Sequence, residues 1–427
     1  MQRFTGLLGI VLILGLAFLL SNNRRAINYR LVATGLAVQV LLAVFILKVE
    51  IGQRLFATLG AGITKILDFS KEGAAFVFGP LVNNEVMAKA FGANNTFVFF
   101  FNIIPTIIFV AVLVSVAYHI GLMQRVVAVI ARGVHRLMGV SGSEALSNVA
   151  SAFVGQVEAQ IMIKPYLPGM TMSELLASMA GSMACIAGGV MAVYIALGVP
   201  APYLLAASLM AAPGALVISK IVWPETEVSE TKGTIKLDIK KQNANLVDAI
   251  SHGAGDGLKV GFNVVAMLIG FIALIALVDY GLGGVSRSIN WLNDEYLHTA
   301  TRLKPLSLKL LLSYPFSAFA WAMGVPAQDI QQAGALMGTK MVVNEFVAYL
   351  DMVQLKGTAQ QLTPKGLTIV TFALCGFANF SSIAIQVGGI GELAPSRRGD
   401  LARLGFKALI CGTLASYLSA TLAGLLV

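Results

Sequence analysis

Three short stretches of an otherwise oily chain carry groups able to do chemistry. "GQVEA" holds Gln156, Val157 and Glu158. "NEFVAY" holds Asn344 and Glu345. "GFANFSS" holds Asn379, Ser381 and Ser382 beside Phe377. An ionised carboxylate accepts from two donors at once, which suits a vicinal diol, and a carboxamide offers both donor and acceptor, which suits the edge of a base. Two carboxylates in one site repel anions, so a phosphorylated ligand is disfavoured. A neutral molecule made of a flat ring and a sugar fits, and so does a cationic amine. Side-chain chemistry leaves that choice open. There is no Ser/His/Asp set, metal-ligand cluster or phosphate loop, so an enzyme is not expected, and neither is a resident cofactor. His119, His135, His252 and His298 are scattered. Cys185, Cys375 and Cys411 lie far apart in apolar runs, which gives neither a disulfide framework nor a metal site.

Plainer readings compete. Asn379 and its serines have the size and polarity to bond across helices, as small polar residues do in membrane bundles. Glu158 is within reach of Lys164 in sequence, and Glu345 of Lys340, as structural ion pairs. Against this stands the cost of a carboxylate at mid-membrane depth, at least about 2.5–3.5 kcal/mol. The clusters also coincide with interruptions of the hydropathy pattern.

The elements that position these groups must sit in a bilayer. The chain has 427 residues, 57% hydrophobic and 12% charged, with a mean hydropathy of +0.80. Soluble domains have about 45–50% apolar and about 25% charged residues. The net charge of +9 fits basic cytoplasmic loops better than a nucleic-acid partner. Apolar runs near the length needed to cross a bilayer, about 20 residues, fall at 5–21, 31–47, 97–122, 175–198, 201–219, 260–278, 367–391 and 408–427. The first lacks a cleavage site and is trailed by "SNNRRAINYR", so it reads as a span entering the cell rather than a signal peptide. Basic stretches at 124–136, 219–242 and 395–407 then lie inside, and both termini outside.

Two segments break the pattern. "GSEALSNVASAFVGQVEAQIMIKPYLPG" (142–169) has apolar halves of about ten residues around Gly155, too short to span. Residues 313–350 are likewise split, at "GVPAQD". Non-helical backbone at membrane depth is tolerated where protein or a water-filled cavity covers it, so each reads as a re-entrant hairpin. Each is followed by two spans, and the two enter from opposite sides. That is an inverted repeat with a central site. The expected fold is an all-α polytopic membrane protein of about eight spans and two hairpins. Its regions are 1–98 (N-terminal helices and an interfacial amphipathic helix), 99–222 (first repeat with its hairpin), 223–257 (cytoplasmic loop and interfacial segment) and 258–427 (sixth span, then the second repeat).

These motifs resemble the concentrative nucleoside transporters. "GTKMVVNEFVAY" (338–349) looks like that family's signature, "VGQVEA" (154–159) its first-hairpin tip and "GFANFSSI" (376–383) its seventh-helix motif. "AAPGALVISKIVWPETE" (211–227) is also similar, and the likeness runs from about residue 99 to the C-terminus. The resemblance implies a cation-coupled nucleoside symporter of the bacterial inner membrane, with uridine a typical substrate. It also implies an elevator-type motion and a homotrimer, with a passive facilitator as the alternative. It places base contacts on Gln156, Val157 and Glu158, a packing contact on Val190, the ribose-binding carboxylate on Glu345 and the unwound-helix contacts on Phe377, Asn379 and Ser382. Sodium, the family's default ion, would be held by Ser151, Val154, Cys185 and Ile186. Two of these depart from the family pattern: Ser151 stands where an Asn is usual and Cys185 where a Ser is usual. A thiol is a soft ligand and sodium a hard ion, so proton coupling competes. Val157 likewise replaces a hydroxyl residue.

Overall fold

The computed structural model describes residues 2–92, 98–232, 243–297, 303 and 305–427. His298 and the centre of the expected cytoplasmic loop, 233–242, lie outside the described residues.

Every regular element among the described residues is helical. The N-terminal third forms α1 (Gln2–Leu19), α2 (Tyr29–Leu47), α3 (Glu50–Phe78) and α4 (Asn84–Phe91). α3 buries Gly52, Phe56, Gly60, Leu67, Ser70 and Ala74, a single stripe at helical spacing, and exposes the opposite face. The first repeat runs through α5 (Phe99–His119), α6 (Leu122–Met138), α7 (Gly142–Ser151), α8 (Glu158–Ile161), α9 (Met172–Ala184), α10 (Gly188–Ala196) and α11 (Ala201–Val222). α12 (Leu246–Leu292) follows. The second repeat is α13 (Leu308–Ala322), α14 (Ile330–Val342), α15 (Glu345–Gln354), α16 (Pro364–Leu374), α17 (Phe380–Leu393) and α18 (Arg398–Leu426).

Among the described residues, six helical stretches are long and apolar enough to cross a membrane: Tyr29–Leu47, Phe99–His119, Met172–Ala196, Ala201–Val222, Leu246–Tyr296 and Pro395–Leu426. The expected first and seventh spans contain shorter apolar helices, Thr5–Leu19 and Pro364–Leu374. Three expectations are corrected. The basic stretch 124–136 is not a loop but part of α6, whose strongly one-sided pattern buries Val127 and Ala131. The fourth span is not continuous: Cys185 and Ala187 are extended between α9 and α10. The second hairpin does not break at "GVPAQD". That segment is the turn between α13 and α14, with Gly324 at φ +85°. The tip is Val343–Asn344, between α14 and α15.

Local chemistry explains these boundaries. Ser141 with Glu144 and Thr171 with Glu174 form capping boxes that start α7 and α9. Asn344 caps α15 through Val347 N–H, and Asn379 caps α17 through Ser382 N–H. Each asparagine therefore ends one helix direction and begins another within the buried body.

Candidate functional site

The two unwound linkers lie against each other. Phe377 N–H donates to the Cys185 carbonyl at 3.2 Å, and Gly188 N–H donates to the Phe153 carbonyl at 2.9 Å. A Cβ on Gly376 would stand 2.5 Å from the Ala184 carbonyl oxygen. The break in one repeat is thus held by the break in the other, and both by the first hairpin. Unpaired backbone groups of both linkers find partners at a depth without water.

Glu345 begins α15 at this junction and is 5% exposed. Its Oε1 accepts from the Tyr194 hydroxyl of α10 at 2.9 Å, and its Oε2 accepts from Asn379 Nδ2 at 3.1 Å. A carboxylate offers about four acceptor positions, so acceptor capacity remains beyond these two side-chain donors. Tyr194 is itself fixed by stacking on Tyr349, with ring centroids 4.5 Å apart, and by Phe346. The ion pair with Lys340 that the plainer reading offered does not form. Lys340 Nζ donates instead to the Ala373 carbonyl at 2.8 Å. No ion pair joins Glu158 and Lys164 among the described residues.

Asn379 holds the cluster from the α17 side. Its Oδ1 accepts from Ser382 N–H at 2.9 Å and from Ser381 Oγ at 2.7 Å. Ser382 Oγ accepts from Gln156 Nε2 at 3.3 Å, and Gln156 Oε1 accepts from Gln386 Nε2 at 3.2 Å. Glu345, Asn379, Ser382 and Gln156 are therefore joined by continuous hydrogen bonds through side chain and backbone, across a sequence separation of about 230 residues. Phe377 and Val190 are half-buried. Glu158 is exposed, its carboxylate folded over Gly155. Val157 points elsewhere: its methyls occupy the space a Cβ on Gly389 would need.

The residues expected around sodium are brought together but offer it little. Ser151 Oγ donates to the Ser147 carbonyl at 2.7 Å and meets Ser182 Oγ at 2.9 Å. Ser182 Oγ accepts from Gln160 Nε2 at 2.8 Å, and Gln160 Oε1 accepts from Ser178 Oγ at 2.6 Å. The chain runs in one direction, because Ser151 spends its only proton on the carbonyl and Ser182 must then donate to Ser151. The Cys185 thiol lies 3.7 Å from the Ser208 carbonyl, and the Cys185 carbonyl already accepts from Phe377. Val154 and Ile186 are buried and bring only backbone oxygen. This set holds no carboxylate, and its hydroxyls and amide are engaged with one another. To a cation it offers uncharged oxygens only: backbone carbonyls and the lone pair left on the Ser151 hydroxyl.

Sequence reasoning missed Tyr194, Gln386, Gln160 and Ser182. The last three are polar groups in otherwise apolar runs, a signal present but unused. Tyr194 gave none, since a tyrosine in a span reads as packing.

Family models described as "Na+ dependent nucleoside transporter C-terminus", "Na+ dependent nucleoside transporter N-terminus" and "Nucleoside recognition" match residues 203–424, 8–81 and 100–201. The chain is 42% identical to the uncharacterized transporter YutK of Bacillus subtilis, over 100% of both chains. It is 36% identical to the nucleoside permease NupC of Helicobacter pylori, over 98% of this chain and 96% of the permease. It is 38% identical to sodium/nucleoside cotransporter 1 of Rattus norvegicus, over 100% of this chain and 64% of that longer protein. A solved structure of CNTnw in an inward-facing substrate-bound state superposes with a TM-score of 0.91 at 40% identity, covering 100% of this chain and 98% of that one. The chain belongs to the family of Na+-dependent, concentrative nucleoside transporters.

Proposed function

We propose that this protein is a cation-coupled symporter that imports nucleosides such as uridine across a bacterial inner membrane, working as a trimer by an elevator-type motion. The observation that carries the substrate reading is Glu345. It is buried and held on both oxygens by Tyr194 and Asn379, with lone pairs left over for further donors. Two adjacent acceptors are what the 2′- and 3′-hydroxyls of a ribose need. The amides and hydroxyls of Gln156 and Ser382, with Glu158 at the tip, supply a polar edge for the base, and Phe377 and Val190 supply its apolar faces. Sodium is the coupling ion by family. A proton carried by a glutamate is a second reading, favoured by the Ser151 hydroxyl and the Cys185 thiol at the expected ion positions.

Labelled uridine uptake into proteoliposomes, with inward Na+ and H+ gradients imposed separately, tests the reading. Accumulation above equilibrium under one gradient is expected and names the ion. Uptake that stops at equilibrium under both would make the protein a passive facilitator. Glu345→Ala should abolish uptake, and 2′,3′-dideoxyuridine should already be a poor substrate for the parent. Efficient dideoxyuridine uptake would remove the diol role from Glu345.

A further inference from the structure

Gln386 lies behind Gln156 in the cluster, is 0% exposed and makes two hydrogen bonds across the centre of the molecule. Its Nε2 donates to the Met179 carbonyl of α9 at 3.2 Å and to Gln156 Oε1 at 3.2 Å. Its own Oε1 has no partner in the protein. A backbone carbonyl only accepts, so it dictates which end of the Gln386 amide faces it. The donor end faces Met179, and the same donor end faces Gln156. Gln156 must therefore present its oxygen to Gln386, and its Nε2 is left to face Ser382 Oγ, at 3.3 Å. A flip of Gln386 would set oxygen against oxygen, and a flip of Gln156 would set N–H against N–H, each a loss on the scale of an unmade buried hydrogen bond, about 1–3 kcal/mol.

We propose that Gln386 is a positioning residue. It fixes the amide of Gln156 in one orientation and so makes the tip of the first hairpin discriminate a carbonyl from an amino group on the edge of the nucleobase. The proposal rests on the nucleoside reading of the site. A glutamine free to flip presents donor or acceptor at will and accepts either edge. A glutamine held by Gln386 has one unused N–H and one unused lone pair in fixed places. Pairs of ligands that differ by one such exchange, uridine against cytidine and inosine against adenosine, become distinguishable. Removal of the fixed pattern leaves ribose recognition at Glu345 untouched, because Tyr194 and Asn379 orient that carboxylate independently of Gln386.

The test is calorimetric binding of uridine, cytidine, inosine, adenosine and 2′,3′-dideoxyuridine to the purified full-length transporter and to Gln386→Met, which keeps the length of the side chain and removes both donors. The parent should separate the members of at least one base pair by about fivefold or more, the scale of one oriented hydrogen bond. Gln386→Met should bring that ratio to within about twofold, while the uridine-to-dideoxyuridine ratio stays as in the parent. That second ratio is the control, since general loosening of the site would move both. Should Gln386→Met not fold, Gln386→Asn, one methylene too short to bridge Met179 and Gln156, serves in its place with the same expectation. An unchanged base ratio in the variant, or a parent that binds both members of each pair equally, overturns the role of Gln386. A parent that binds none of these nucleosides overturns the reading beneath it.

Discussion

Glu345 shows how a single residue is prepared for a ligand. A carboxylate at this depth is tolerated because two donors meet it and α15 starts at it, so its charge lies beside free helix N–H groups. Tyr194 supplies one of those donors and comes from the other repeat. Replacing it with phenylalanine keeps the stack on Tyr349 and removes one hydrogen bond to a charged group, worth about 1.5–3 kcal/mol. Tyr194→Phe should therefore weaken uridine binding about tenfold, because the carboxylate is no longer held in register with both hydroxyls. Binding of 2′,3′-dideoxyuridine should change little, since no diol is there to be aligned. Calorimetry with both ligands checks this, and an equal loss for both would make Tyr194 a packing residue. At this scale the sequence was informative where polarity stood out against oil. Gln156, Glu345, Asn379 and Ser382 were legible because each is costly to bury without a purpose. Tyr194 was not, because its ring belongs in a membrane span and only its hydroxyl faces the site.

The same contrast holds for elements. The break between α16 and α17 was legible as "CGFANFSS", in which glycine and polar side chains interrupt an apolar run. The break between α9 and α10 was not, because "MACIAGGVMA" is apolar throughout. Nothing local unwinds it: it is kept open by Phe377 N–H on the Cys185 carbonyl and by Gly188 N–H on the Phe153 carbonyl, which are long-range contacts no hydropathy profile contains. The second hairpin misled in the other direction. "GVPAQD" has the glycine and proline of a turn and is one, but the tip itself needs only Val343 and the Asn344 cap. Gly376 is where the two breaks depend on each other. Its φ of +125° is a conformation L side chains rarely adopt, and a Cβ there would meet the Ala184 carbonyl oxygen at 2.5 Å. Gly376→Ala should strain the linker by roughly 1–3 kcal/mol and push α16 and α17 away from α9. The expected result is a lower unfolding temperature in detergent and loss of uridine binding. Gly388→Ala, on the same helix pair with open space around it, should leave both close to the parent.

Across the whole molecule, burial divides the helices into a body and a frame. The α9–α10 stretch, α11 and α18 are enclosed, with 72%, 89% and 83% of their most apolar segments buried, whereas that of α12 is only 6% buried. The body is tied at the base of its first hairpin by Lys220 of α11, which pairs with the buried Glu144 of α7 and with Glu225. α12 packs on α5 and on little else. Its contact is a stripe of glycines four residues apart. A Cβ on Gly253 would meet Val112 Cα at 2.8 Å, one on Gly257 would meet Ile108 Cα at 2.6 Å, and one on Gly261 would meet Ile104 Cγ2 at 3.2 Å. Such spacing brings two backbones together in a membrane. It leaves the opposite face of α12, with Ile269, Leu274, Leu277 and Tyr280, exposed. At about 1.5 Å per residue its 47 residues extend roughly 70 Å, more than twice the hydrocarbon thickness of about 30 Å. One helix is thus longer than a membrane span needs, and it carries His252, Asp256 and Lys259 as neighbouring charges. In the proposed trimer and elevator-type motion, that unpartnered face and the α5–α12 pair would form the static frame against which the body moves. Gly257→Leu separates α12 from α5 without touching Glu345, Asn379 or Gln156. Native mass spectrometry should then show trimers giving way to smaller species. Uridine binding to the solubilised protein should survive while uptake into proteoliposomes falls, because the body keeps its site but loses the frame it moves against. Trimers that persist in Gly257→Leu alongside full uptake would place the frame elsewhere.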